Sequence, residues 1–224
     1  MARDEPLVRI PSGKVTLEGA LELPARPAGI VVFSHGSGSG RRSPRNQFVA
    51  KALHEGGLGT LLLDLLTPEE DQDYEMRFDI DLLTVRLGDA VGFVRGHAPT
   101  RALPVGLFGA STGAASALRV AARRPADVGA VVSRGGRPDL TGARLLAEVR
   151  APTLLIVGGR DYGVIEMNQA ARDALVHCDR ELAIVPGATH LFEEPGTLEE
   201  VARLASRWFV RHLAPLPARD EREE

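Results

Sequence analysis

Cysteine occurs once in the 224 residues, at Cys178, which excludes an internal disulfide and a Cys-rich metal site. Lysine is nearly as scarce. Lys14 and Lys51 are the only two, so almost all positive charge is carried by arginine. Neither sign of charge dominates: the formal net charge is -3, which leaves no whole-chain footprint for nucleic acid. No apolar run is long enough to span a bilayer, and the first residues lack the apolar core of a signal peptide. The expectation is a soluble cytoplasmic protein that binds neither nucleic acid nor membrane. Internal repeats and linker-like stretches are also absent. One domain is expected over residues 1–213, followed by a disordered charged tail at 214–224.

What is present is a regular alternation of strand-like and helix-like segments. Leu7–Ile10 and Val15–Leu23, separated by Pro11-Ser12-Gly13, read as an antiparallel hairpin at a sheet edge. Continuous apolar runs then recur at residues 29–33, 58–63, 105–108, 128–133, 153–157 and 181–185. Runs of that kind suit strands buried on both faces. Helical spacing fills the intervals. Ser43-Pro44 opens a helix to about Glu55, with Phe48, Val49, Ala52 and Leu53 on one face. Ile80, Leu83, Leu87, Ala90, Val91 and Val94 mark a second helix. A short helix is expected near 140–149, and another runs to about Val176. The last helix begins at a capping box, Thr197 and Glu200. The pattern predicts an α/β fold, a mostly parallel sheet with helices on both faces. Ligands of such sheets bind beyond the carboxyl ends of the strands. The loops after residues 33, 64, 108, 133, 157 and 185 therefore share one rim.

The stretch Gly109-Ala110-Ser111-Thr112-Gly113 follows one of these strands and precedes a small-residue helix. Strand, sharp turn and helix give a G-x-S-x-G match the context of a nucleophile elbow. The glycines permit an approach of strand and helix that a Cβ would block, and the new helix offers N–H groups and a positive dipole end. Two further rim loops carry Asp161 and His190. A serine needs a base within hydrogen-bond reach, histidine has a suitable pKa, and a carboxylate fixes its tautomer. His54, His97, His177 and His212 lie within or near helix ends, away from the rim.

The loop His35-Gly36-Ser37-Gly38 is the expected source of an oxyanion donor, the Ser37 N–H, to act with the Thr112 N–H after the nucleophile. The alternative for that loop is a plain flexible connector. His35 itself has two readings, a substrate contact or a hydrogen bonder that shapes the loop, and the second is favoured.

In these four motifs, His35-Gly36-Ser37-Gly38, Gly109 to Gly113, Gly158-Gly159-Arg160-Asp161 and Pro186-Gly187-Ala188-Thr189-His190-Leu191-Phe192, the chain resembles the α/β-hydrolase superfamily. Within it, the chain is similar to the dienelactone-hydrolase-like small hydrolases. The resemblance covers residues 15–212. It implies that Ser111 is the nucleophile, His190 the base and Asp161 the orienter, with Ser37 and Thr112 as oxyanion donors. The chain also looks like hydrolase domains attached to phosphoribosyltransferases.

Two departures from the family matter. Dienelactone hydrolases use a cysteine nucleophile, where this chain has serine, so ester hydrolysis is expected rather than dienelactone hydrolysis. Cys178, at the opposite rim, cannot substitute. The span between the strands at 128–133 and 153–157 is too short for a lid domain, which leaves the acidic loop 65–79 to shape the mouth. Arg41, Arg42, Arg45, Arg134 and Arg137 also follow rim strands. They serve either as a clamp for a substrate anion, with Arg134 and Arg137 as the substrate-binding candidates, or as partners of the acidic loop, the favoured reading. The expectation is a lidless carboxylesterase-type serine hydrolase acting on a small ester without metal or cofactor. Thioesterase or acyltransferase chemistry is the alternative, as is a non-catalytic ligand-binding module.

Overall fold

The computed structural model describes residues 7–213; the tail expected at 214–224 lies outside them. The strands are β1 (Leu7–Ser12), β2 (Val15–Glu22), β3 (Ile30–Ser34), β4 (Gly59–Leu63), β5 (Val105–Ala110), β6 (Ala130–Arg134), β7 (Thr153–Gly158) and β8 (Arg180–Val185). They form one eight-stranded sheet in the order β1-β2-β4-β3-β5-β6-β7-β8. β1 and β2 make the expected edge hairpin, β2 also runs antiparallel to β4, and every other pairing is parallel.

Both faces of the sheet are covered, which is why the central strands read as unbroken apolar runs. Along β3, Ile30 and Val32 enter one core with α2 (Ile80–Gly96) and α3 (Thr112–Arg123). Val31 and Phe33 enter the other with α1 (Pro44–Glu55) and α6 (Thr197–Leu213). The chain leaves β3 for β4 on one side and returns to β5 on the other. The crevice for a ligand opens where strand order reverses, so the loops after β3 and β5 are placed side by side. Between β6 and β7 lie only a 3-10 turn (Pro138–Thr141) and the short helix α4 (Ala143–Glu148), separated by Gly142 at φ +86°. No lid is inserted there.

Two local expectations change. Phe48 is 40 % exposed; the inner face of α1 is Asn46, Val49, Ala50 and Leu53, because residues two apart on a helix do not share a face. The capping box at Thr197 does not form. The Thr197 hydroxyl donates instead to the Glu194 carbonyl at 2.7 Å, and Glu200 pairs with Arg203. A reciprocal box closes at Thr67 and Glu70, where the Thr67 N–H meets the Glu70 carboxylate at 2.9 Å and the Glu70 N–H meets the Thr67 hydroxyl at 3.2 Å. This box opens the 3-10 turn Glu70–Gln72, and a second such turn spans Met76–Phe78. Glu70 also meets the buried Arg86 of α2 at 2.7 Å, so the acidic loop is tied down at several points.

Candidate active site

Ser111 sits between β5 and α3 with φ +50°, a left-handed angle costly for a residue with a Cβ. The surroundings hold it there. A Cβ on Gly113 would collide with the carbonyls of Ser34 and His35, and one on Gly109 would lie 2.5 Å from the Ala114 Cα. The Ser111 N–H donates to the Arg134 carbonyl at 3.1 Å, and its own carbonyl accepts from the Arg137 N–H at 3.0 Å. The end of β6 thus braces the turn through backbone that sequence patterning does not reveal.

Asp161 follows β7 and His190 follows β8, two and three strands along the sheet from β5. The His190 Nδ1 is 2.7 Å from the Asp161 carboxylate, while its Nε2 is 3.3 Å from the Ser111 hydroxyl. Asp161 occupies the N-cap position of α5 (Tyr162–Ala174), yet its side chain caps no N–H. The carboxylate is turned to the imidazole and the helix start forgoes about 1 kcal/mol of capping. Gly135, at φ +52°, packs beside His190: a Cβ there would stand 3.2 Å from the His190 carbonyl oxygen. Asn168 of α5, fully buried, donates to the Gly136 carbonyl at 3.0 Å and fixes that loop. Nothing in the helical pattern around Asn168 marks it out. The His190 side chain is 37 % exposed, so the three groups open toward solvent.

The loop after β3 packs on the elbow. A Cβ on Gly36 would lie 3.0 Å from the Ser111 Cβ, and the Ser34 and Ser116 hydroxyls meet at 2.7 Å. Among the described residues, neither the Ser37 nor the Thr112 N–H is taken by a backbone carbonyl.

His35 has no nitrogen left for a substrate. Nδ1 donates to the Gly36 carbonyl at 2.9 Å, and Nε2 accepts from the Leu65 N–H at 2.9 Å. The ring ties the loop after β3 to the backbone that follows β4. Burial holds its pKa below the ordinary 6.5, against the opposing effects of the Gly36 bond and the Asp71 charge. The unfolded chain therefore takes up this proton at a higher pH than the folded chain. Stability should be complete above about pH 6.5 and fall as pH drops from there through the folded-state value. Thermal melts from pH 8 to pH 5 should show a flatter acid limb for His35→Gln than for the wild type. Parallel limbs would remove His35 as the cause.

The rim arginines do not pair with the acidic loop, which corrects the favoured expectation. Arg41 meets Glu18 at 2.5 Å and also Asp64; Arg45 meets Glu193 at 3.0 Å; Arg137 forms a two-pronged pair with Asp139 at 2.7 and 2.9 Å. The loop draws on other partners, Arg77 for Asp71 and Arg86 for Glu70. Arg134 differs again. It is the last residue of β6 rather than the first of a loop, and 7 % exposed. Its guanidinium stands 5.9 Å from the Phe192 ring centroid, with one long hydrogen bond of 3.5 Å to Asn46. Burial, with the nearby Arg45 charge, lowers its pKa to about 10.

Two hollows flank the loop after β3. Ser37, Arg42 and Arg45 help to line a groove of about 650 Å3, and His35, Arg41 and Leu66 a cavity of about 400 Å3. Ser111, Asp161 and His190 line neither of these two. Cys178 lies just before β8, at the far end of the sheet, where burial raises its thiol pKa. Among the described residues, no group of three His, Cys, Asp or Glu side chains is gathered to hold a metal ion, and no helix is long and apolar enough to cross a membrane.

Strand order and the loops that carry these residues are those of an α/β hydrolase. The crystal structure of a dienelactone hydrolase from Anabaena variabilis is 52 % identical, with TM-score 0.91 over 94 % of this chain and 98 % of that one. The chain belongs to the dienelactone-hydrolase-like group of the α/β-hydrolase superfamily. Est1E from Butyrivibrio proteoclasticus shares the fold at TM-score 0.77 and 15 % identity. Proteins of Mycobacterium tuberculosis that carry the provisional name phosphoribosyl transferase are 56 % identical over 216 residues. The match takes in 95 % of this chain and 48 % of theirs, so the chain spans about half their length. No protein-family profile matches.

Proposed function

We propose that the chain is a serine hydrolase that cleaves a small ester through an acyl-enzyme. The observation that carries this reading is the relay from Ser111 to His190 at 3.3 Å and on to Asp161 at 2.7 Å. His190 Nε2 takes the hydroxyl proton as Ser111 attacks the ester carbonyl, and Asp161 stabilises the imidazolium that results. The N–H groups of Ser37 and Thr112 receive the oxyanion. His190 then returns the proton to the departing alcohol. Water gives a proton to the same base and attacks the acyl-enzyme, and His190 passes that proton to the Ser111 oxygen as the acid departs. Solvent access to His190 favours hydrolysis over transfer to another acceptor. Phosphoribosyl transfer, in the name of relatives twice as long, is not the reading adopted, because the groups gathered here are those of acyl chemistry.

The short connection between β6 and β7, which carries no lid, sets an expectation for substrate size. Each methylene that finds apolar cover contributes about 0.8 kcal/mol, and little cover is available here. Across a series of p-nitrophenyl esters, kcat/KM should peak at acyl chains of about two to four carbons. A steady rise to long chains would overturn the shallow site. No turnover of any member would count against the esterase reading itself.

A further inference from the structure

The start of α1 gathers positive charge that the fold does not balance. Its first turn holds no acidic residue and carries Arg45. The Arg134 guanidinium comes in beneath the same turn from β6, with Asn46 and the face of Phe192 as its neighbours. Glu193 is the carboxylate at hand, but it lies 64 % exposed on Arg45 and makes no pair with Arg134. The Nε of Arg45 and the Nε of Arg134 are both buried and both without a partner. A guanidinium stripped of water is costly unless an opposite charge and hydrogen bonds compensate it. Its surroundings here, a second guanidinium and the positive end of a helix, make that cost larger.

We propose that Arg134, Arg45 and the start of α1 form a binding site for a phosphate group carried by the substrate. Two orphaned donors on different side chains suit a tetrahedral oxyanion, whose terminal oxygens serve both at once. A planar carboxylate, Glu193, is already present and serves only one of the two arginines. The helix start adds the favourable field that such anions use. Arg45 is one-third exposed and lines the same groove as Ser37. A phosphate bound at Arg45 therefore shares a groove with the Ser37 N–H, the group that the hydrolase reading assigns to the oxyanion. The substrate class is the carboxylic ester of a short phosphorylated alcohol. This deepens the hydrolase reading and rests on it, but the anion site itself does not require catalysis.

The test uses inorganic phosphate first. Calorimetric titration and thermal melts should show saturable binding to the wild type and to Ser111→Ala, with none to Arg134→Met. Sodium chloride at equal ionic strength should not reproduce the effect. In phosphate-free buffer Arg134→Met should melt at or above the wild-type temperature, because it removes a buried uncompensated charge. Arg134→Lys, which keeps the charge but not the fork, should bind phosphate more weakly. The second arm compares the acetate ester of a phosphorylated short alcohol with the same ester lacking the phosphate. The wild type should favour the phosphorylated ester by about tenfold or more through KM, and Arg134→Met should bring the ratio close to one. Failure of phosphate to bind wild type and Ser111→Ala overturns the site. A lowered melting temperature for Arg134→Met with phosphate binding intact makes the arginine a packing element and also overturns it. Binding of phosphate without preference for the phosphorylated ester overturns the substrate assignment. Binding with no ester hydrolysed at all upholds the anion site and removes the hydrolase reading instead.

Discussion

Ser111→Ala is expected to fold as the wild type does and to lose about 10⁴–10⁶ in kcat. The Ser111 hydroxyl meets His190 and bears no part of the sheet or the cores, so its removal spares the architecture. What disappears is the atom proposed to attack. A fluorophosphonate probe should label Ser111 in the wild type and no residue of the variant. A second variant checks the geometry behind the assignment. At φ +50° any Cβ is strained, so Ser111→Gly should melt higher than Ser111→Ala, by an amount reflecting ~1–3 kcal/mol of relieved strain. Turnover of Ser111→Ala within tenfold of the wild type would end the serine-hydrolase proposal.

The strand that holds Ser111 and its neighbours were legible because burial on both faces leaves a simple signature, an unbroken apolar run. The turn was legible because steric need restricts its residues: Gly109 and Gly113 stand where a Cβ has no room. Arg134 was not legible in the same way. The run 128–133 suggests a strand that ends before it, but pairing with β5 continues to Ala110 opposite Arg134 and so buries the side chain. Register is a property of two strands, and a single stretch does not contain it. The ion pairs failed for a related reason. Glu70 meets an arginine that lies 16 positions along the chain, on a helix whose apolar stripe says nothing about its charged neighbours. The two capping boxes show how little a local match decides. Thr67 has Pro68 after it and an open turn to close, whereas the Thr197 hydroxyl finds the Glu194 carbonyl first.

Asp161→Asn should cost roughly 10⁴-fold in kcat while leaving fold and melting temperature close to wild type. Asparagine keeps the shape of the side chain, and no capping bond is lost because Asp161 makes none. The change is electronic. The carboxylate accepts from His190 Nδ1–H at 2.7 Å, which leaves Nε2 unprotonated toward Ser111. An amide NH₂ in that place donates, so the imidazole is driven to the other tautomer and presents N–H to the serine it must deprotonate. The imidazolium formed during attack also loses its counter-charge. Both effects act on the chemical step, so kcat should fall far more than KM changes. Asp64, the other rim carboxylate, is held by the Arg41 side chain and N–H, and Glu166 is exposed one turn along α5, so neither stands ready to replace it. Activity within tenfold of wild type in Asp161→Asn would remove Asp161 from the relay and make those two the next carboxylates to test.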